Sequence, residues 1–185
     1  MGFEISDRPD ATLVRDAMSG QSEAFNVLVR RWERKVYSFL VYLTGRPEDA
    51  FDICQEVFLS AFRHLSQLKE PDKFAQWLFR IARNTAHSHS RREREEETSL
   101  GDHDAAEDSS RVRVGEAGQW ARGELKILVE KALARLPYEQ REAIVLKFYQ
   151  GFKLEEIAEI QGCPVGTAKT RVYSGFEQLR KFIES

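Results

Sequence analysis

The sequence predicts an all-α protein made of two small helical domains joined by an acidic linker. Three observations carry that expectation. Apolar residues recur at spacings of three and four wherever the chain is not polar, and the alternation expected of a strand is nearly absent. Between residues 95 and 121, acids, serines and glycines largely replace big apolar groups, so this stretch cannot bury enough surface to offset its ordering entropy. Beyond it the helical pattern returns and runs almost to the C-terminus. The resulting boundaries are 1–94 for the first domain, 95–121 for a flexible acidic linker and 122–185 for the second domain.

Residues 11–18 form a short amphipathic helix closed by Gly20. Ser22 stands as the N-cap of a long helix whose buried stripe is Phe25, Leu28, Val29, Trp32, Val36, Phe39, Leu40 and Leu43. Gly45 ends that helix, and Pro47 suits the first turn of the next. The third helix, about 48–64, is expected to bury Ala50, Ile53, Val57, Phe58, Ala61 and Phe62. A polar turn (SQLKEPD) leads to a fourth helix from near Lys73, with Phe74, Leu78, Ile81, Ala82 and Thr85 inward. In the second domain a helix from about Leu125 to Leu136 is stopped by Pro137, and three more follow. Their inner positions are Ile144, Val145 and Phe148, then Leu154, Ile157, Ala158 and Gln161, then Val165, Ala168, Val172, Phe176 and Leu179.

Composition excludes several classes. With 28 basic and 30 acidic residues the formal net charge is -2, unlike proteins that coat nucleic acid through phosphate neutralisation. Any nucleic-acid surface is therefore local or works with a partner. Cys54 and Cys163 are too few for a disulfide framework and form no CxxC pair, which points to a reduced cytoplasmic compartment. The N-terminal MGFEISDRPD lacks a signal peptide's apolar core, and apolar runs such as Phe39 to Leu43 are too short for a bilayer. No Ser/His/Asp set, glycine-rich phosphate loop or converging carboxylate pair is present, so neither an enzyme nor a cofactor is expected. His87 and His89 lie about 200° apart around a helix and do not converge on a metal.

The stretch LEEIAEIQGCPVGTAKTRV, from Leu154 to Val172, carries the sharpest signal. A short helix stops at Gly162-Cys163-Pro164 and a second begins at once, the pattern of a helix-turn-helix. The second helix offers Val165, Gly166, Thr167, Lys169, Thr170, Arg171 and Ser174 to a DNA major groove. Its cations reach phosphates or guanine edges, and its hydroxyls are short hydrogen-bonding groups. Gly166 permits close approach of the helix N-terminus to a phosphate. Without DNA, the same pattern describes a plain hairpin with a solvated face.

In the first domain, the fourth helix sets Gln76, Arg80, Arg83, Asn84, His87 and Arg91 on the arc opposite its buried stripe. Trp77 and Phe79 border that arc. Cations beside aromatic rings suit a strand whose bases are exposed, although either ring can instead complete the core. The preceding helix presents Asp49, Asp52, Gln55 and Glu56, a face that is either solvated or a docking surface for a basic protein.

Taken together, EDAFDICQEVFLSAFRHL, FAQWLFRIARN and LPYEQREAIVLKFYQGFKLEEIAEIQGCPVGTAKTRV resemble a bacterial RNA polymerase sigma factor of the extracytoplasmic-function type. The resemblance covers roughly residues 10–92 and 122–184. It implies a region-two domain that docks on core RNA polymerase and opens and reads the minus-ten promoter element. It also implies a region-four domain that reads the minus-thirty-five element as duplex. Asp52, Gln55 and Glu56 match the family's docking positions; Trp77, Arg80, Arg83 and Asn84 match the segment that meets the melted strand. After RIARN the chain continues TAHSHS, Thr85-Ala86-His87-Ser88-His89-Ser90, departing from the family pattern. Roles implied by resemblance therefore stop at Asn84, and His87 and Arg91 belong to the arc by spacing alone. Promoter DNA, core polymerase and an anti-sigma factor are the partners implied. The rival is a helix-turn-helix regulator acting independently of polymerase recruitment, which would need a sensor domain in place of the helical first domain.

Overall fold

The computed structural model describes residues 5–99 and 128–184, and no strand occurs among them. Helices α1 (Asp10–Met18), α2 (Ser22–Thr44), α3 (Pro47–His64) and α4 (Phe74–Ser99) build the first domain. Helix α5 (residues 128–134), α6 (Tyr138–Ile144), α7 (Leu154–Gln161) and α8 (Val165–Glu184) build the second. A single π turn, Val145–Tyr149, continues α6. None of these helices is long and apolar enough to cross a membrane.

The punctuation follows the sequence closely. Gly45 ends α2 at φ 70, its N–H donating to the Val41 carbonyl, and Pro47 opens α3. Gly162 ends α7 at φ 63, a conformation glycine adopts without a Cβ penalty, and α8 begins at Val165. Ser22 is the first residue of α2 and makes no cap; Gln21 takes the N-cap position. Helix α4 runs to Ser99, five residues beyond the boundary drawn at Arg94, because Glu95, Glu96 and Glu97 are good helix formers. The remainder of the acidic linker, and the start of the second domain, lie outside the described residues.

Most stripes bury as their periodicity predicts, with four corrections. Phe62 is 57 % exposed, since it lies roughly 120° around α3 from the buried Ala50, Ile53, Val57 and Ala61. Its edge meets the Phe25 ring at 5.1 Å. Phe148 is also exposed: the π turn adds a residue per turn and swings it outward, where it leans on Phe176 at 5.8 Å. Val165 and Phe176 flank the α8 stripe, which is Ala168, Val172, Gly175 and Leu179. A Cβ at Gly175 would meet Ile144 Cγ1 at 3.1 Å, so an alanine there would need the Ile144 side chain to give by a few tenths of an ångström.

The two domains pack on each other. One apolar cluster runs from α1 through α4 into Ala143, Val145, Leu146, Phe152, Ile157 and Ile160. Phe79 sits where the halves meet, fully buried, with Trp32, Phe39 and Phe152 around it at 6.1, 5.1 and 5.0 Å. Tyr42 and Tyr149 meet at a tilt across the same boundary, ring centroids 4.5 Å apart. Of the two rings left open by the sequence, Phe79 is core.

Polar groups cross it too. Glu142 of α6 is 0 % exposed; its Oε2 accepts from Gln161 Nε2 at 2.7 Å and from Arg83 Nε at 3.2 Å. Burial pushes its carboxyl above the ordinary value of 4.5, against the opposing pull of Arg83 and the Gln161 amide. A carboxyl raised on folding contributes stability that is complete below pH 4.5 and is lost as the pH climbs through its folded value. Wild type should therefore lose stability relative to Glu142→Gln as pH rises from there towards neutrality. Urea midpoints of both proteins across that range measure this, and parallel profiles would contradict it.

Candidate docking and nucleic-acid interfaces

The α3 face divides into an inner and an outer half. Asp52, Gln55 and Glu56 are exposed together, as the sequence predicts. Asp49 is only partly so: its side chain keeps 17 % exposure and pairs with Arg46 Nε at 2.9 Å beside the helix N-terminus. There an acid also complements the helix dipole. Alongside the polar trio stand Phe51, Leu59 and Phe62, exposed at 57, 56 and 57 %. Sequence reasoning missed this apolar strip. The spacing of Phe51, Gln55, Leu59 and Phe62 (four, four, three) held the signal, since it traces a second face off the buried stripe. Large apolar side chains left out of a core and rimmed by acids are the composition of a binding patch.

The arc of α4 is partly occupied: Gln76 and Arg83 are half-buried, whereas Arg80, Asn84, His87 and Arg91 are exposed. Trp77 is half-buried against Phe74, and with Arg80 it lines a cleft of about 760 Å³ between the domains. Gln76 donates from Nε2 to Glu156 Oε1 at 2.8 Å. Arg83 is held by Glu142, and its Nη1 donates to Asn84 Oδ1 at 3.4 Å. The His87 ring meets the edge of Tyr138 at 5.8 Å. Asn84 is exposed, and Arg91 pairs loosely with Glu95 at 3.6 Å on the surface.

In the helix-turn-helix, α7 is capped by Glu156, whose Oε2 accepts from the Lys153 backbone N–H at 2.7 Å. Val165, Gly166, Thr167, Lys169 and Thr170 form an exposed N-terminal face on α8. Nothing lies within 4 Å of a Cβ built at Gly166, so packing does not demand glycine there and a partner has room to approach. Thr170 and Ser174 donate their hydroxyls back to Gly166 and Thr170 carbonyls, at 3.0 and 2.6 Å. Arg171 is half-buried and donates from Nη1 to Gln161 Oε1 at 3.1 Å, tying α8 to α7. Lys169 is the uncommitted cation of this face, its Nζ 6.0 Å from the Tyr173 ring.

Residues 28–96 match Sigma-70 region 2, and residues 126–179 match Sigma-70 region 4. The RNA polymerase sigma-H factor of Pseudomonas aeruginosa is 29% identical over 97% of this chain and 96% of its own. The ECF RNA polymerase sigma-E factor of Haemophilus influenzae is 32% identical over 95% of both chains. Among solved structures, the sigma factor RpoE of Bartonella quintana, in complex with the anti-sigma factor NepR, is similar at a TM-score of 0.71 and 27% identity. That match covers 86% of this chain and 96% of the other. With both helical domains matched in order and the relatives matched end to end, this chain belongs to the ECF sigma factors of the sigma-70 family.

Proposed function

We propose that this chain docks on core RNA polymerase through α3, reads the melted minus-ten strand with α4, and reads the minus-thirty-five duplex with the start of α8. As a sigma factor it is a promoter-directing initiation factor, and the alternative of an autonomous helix-turn-helix regulator is not favoured. The chemistry of initiation belongs to the polymerase; this chain supplies recognition, in the cytoplasm where polymerase works. The carrying observation is one of order: an acidic face with exposed apolar rings stands one helix ahead of a basic arc, and a helix-turn-helix follows on the same chain. Acids repel phosphate and suit the protein partner, whereas Trp77, Arg80, Arg83 and Asn84 suit an unpaired strand. Because the Bartonella quintana relative is held by an anti-sigma factor, we extend an anti-sigma partner to this chain.

Run-off transcription with core polymerase on a promoter library tests the assignment. Promoter-selective transcripts are expected, and their absence while polymerase binding persists would remove the promoter-reading role. Within that assay Lys169→Ala should weaken promoters that depend on the upstream element by about 1–3 kcal/mol, the worth of one good base contact. Polymerase affinity should hold. Normal transcription from such promoters would place the reading face elsewhere on α8.

A further inference from the structure

Gln161 is a buried polar residue at the elbow of the helix-turn-helix, and its whole amide is in use. It ends α7 and keeps 4 % exposure. Its Nε2 donates to the Glu139 carbonyl at 3.0 Å and to Glu142 Oε2 at 2.7 Å, both on α6. Acceptors on both sides of the nitrogen fix the sense of the amide, so Oε1 turns away from α6. There it accepts from Arg171 Nη1 at 3.1 Å, and the Cys163 thiol stands 3.9 Å away.

The arginine at the end of this bridge lies on the flank of α8. Arg171 is half-buried, between the exposed Thr167 and Thr170 and the buried Ala168 and Val172. From such a flank a side chain meets the phosphates along the groove edge, while the middle of the face meets the bases. Among the described residues, Nη1 is its one committed donor. The kind of acceptor matters as much as its place. Arg83 on α4 meets the Glu142 carboxylate directly, and the pair cancels its charge. Arg171 meets a neutral amide oxygen, which orients the guanidinium and leaves its charge whole. Packing alone does not ask for an amide at this elbow, since an apolar side chain would fill it with no polar group to satisfy.

We propose that Gln161 is a positioning residue for promoter reading: it holds the charged Arg171 guanidinium towards a phosphate beside the groove that α8 enters. This rests on the assignment of α8 to the minus-thirty-five duplex. A preset guanidinium loses less freedom on binding than a loose one, so the bridge raises affinity without touching DNA. It also sets the register in which Lys169 and the threonines meet the bases.

The test is a double-mutant cycle on holoenzyme assembled with core polymerase. The probe is a labelled promoter duplex selected by run-off transcription, beside the same duplex with its upstream element scrambled. Gln161→Met should weaken binding to the intact promoter about five-fold, within the coupling range of contacting residues. In the Arg171→Ala background the same change should cost less than about two-fold, because the bridge has nothing left to hold. Equal losses in the two backgrounds would make Gln161 a merely structural residue and overturn the proposal. Arg171→Ala should also flatten the salt dependence of binding by about one phosphate contact, and an unchanged slope would overturn the proposal too. Gln161→Met takes a donor from Glu142, so thermal melts of the free chains accompany the cycle. Should that variant fail to fold, Arg171→Lys decides. A lysine keeps the charge but cannot hold Gln161 and a phosphate in one planar fork, so binding should fall several-fold. Binding at the wild-type level would overturn the proposal. If wild type discriminates against the scrambled element while the cycle shows no coupling, the positioning role fails and the reading role of α8 stands. If wild type ignores the scrambled element, the reading role itself fails and the proposal falls with it.

Discussion

Phe79→Ala is expected to cost about 3–5 kcal/mol of folding stability, the range for truncating a buried ring without collapse of the cavity. The ring is 0 % exposed and meets three aromatic neighbours edge-on, from α2 and from the Phe152 segment ahead of α7. Removing it takes contacts from the first domain's core and from the seal between the domains at once. Urea denaturation followed by circular dichroism measures the loss. A change below about 1 kcal/mol, the scale of a surface substitution, would mean that Phe79 does not join the two cores.

Asp52→Arg combined with Glu56→Arg should weaken affinity for core polymerase by about 2–4 kcal/mol, the scale of an interface hot spot or a reversed charge pair. Both side chains are exposed and off the buried stripe of α3, so the fold should survive. Phe51, Leu59 and Phe62 beside them supply the apolar surface that such a dock needs. Competition against a labelled sigma factor for core enzyme gives the number. Unchanged affinity with unchanged helicity would return this face to solvent.

The helices themselves were legible because glycine, proline and apolar spacing act locally. Gly45, Pro47 and Gly162 punctuate the chain where their backbone preferences dictate. Periodicity names a face but not what covers it, which is why Phe62, Phe148, Val165 and Phe176 read as core and are exposed. In α8 the partner helices cover only the strip around Ala168, Val172 and Leu179, and the flanking rings remain outside. The packing of one domain on the other left no local trace. Glu142 reads in REAIVLKF as a surface acid, yet it is fully buried because Arg83, distant in sequence, and Gln161 satisfy its charge. Likewise Gln76 and Arg83 were read as part of an open arc, and their sequence spacing carries no sign of Glu156 and Glu142, which face them. On α8, Gly166, Thr167, Lys169 and Thr170 are exposed as their spacing suggests, while the bond from Arg171 to Gln161 depends on where α7 crosses α8.

Promoter recognition by this chain is expected only in company with core polymerase. With a net charge of -2 and its cations partly paired, the free chain offers few phosphate contacts. Polymerase supplies the missing geometry by holding the two reading helices at the promoter spacing, which turns two weak contacts into one bivalent one. The direct measurement is promoter-DNA binding as a function of spacer length between the two elements, with and without core enzyme. Specific binding should appear only with core enzyme and fall sharply when the spacer changes by a few base pairs. Tight, sequence-specific binding by the chain alone, indifferent to the spacer, would contradict the account.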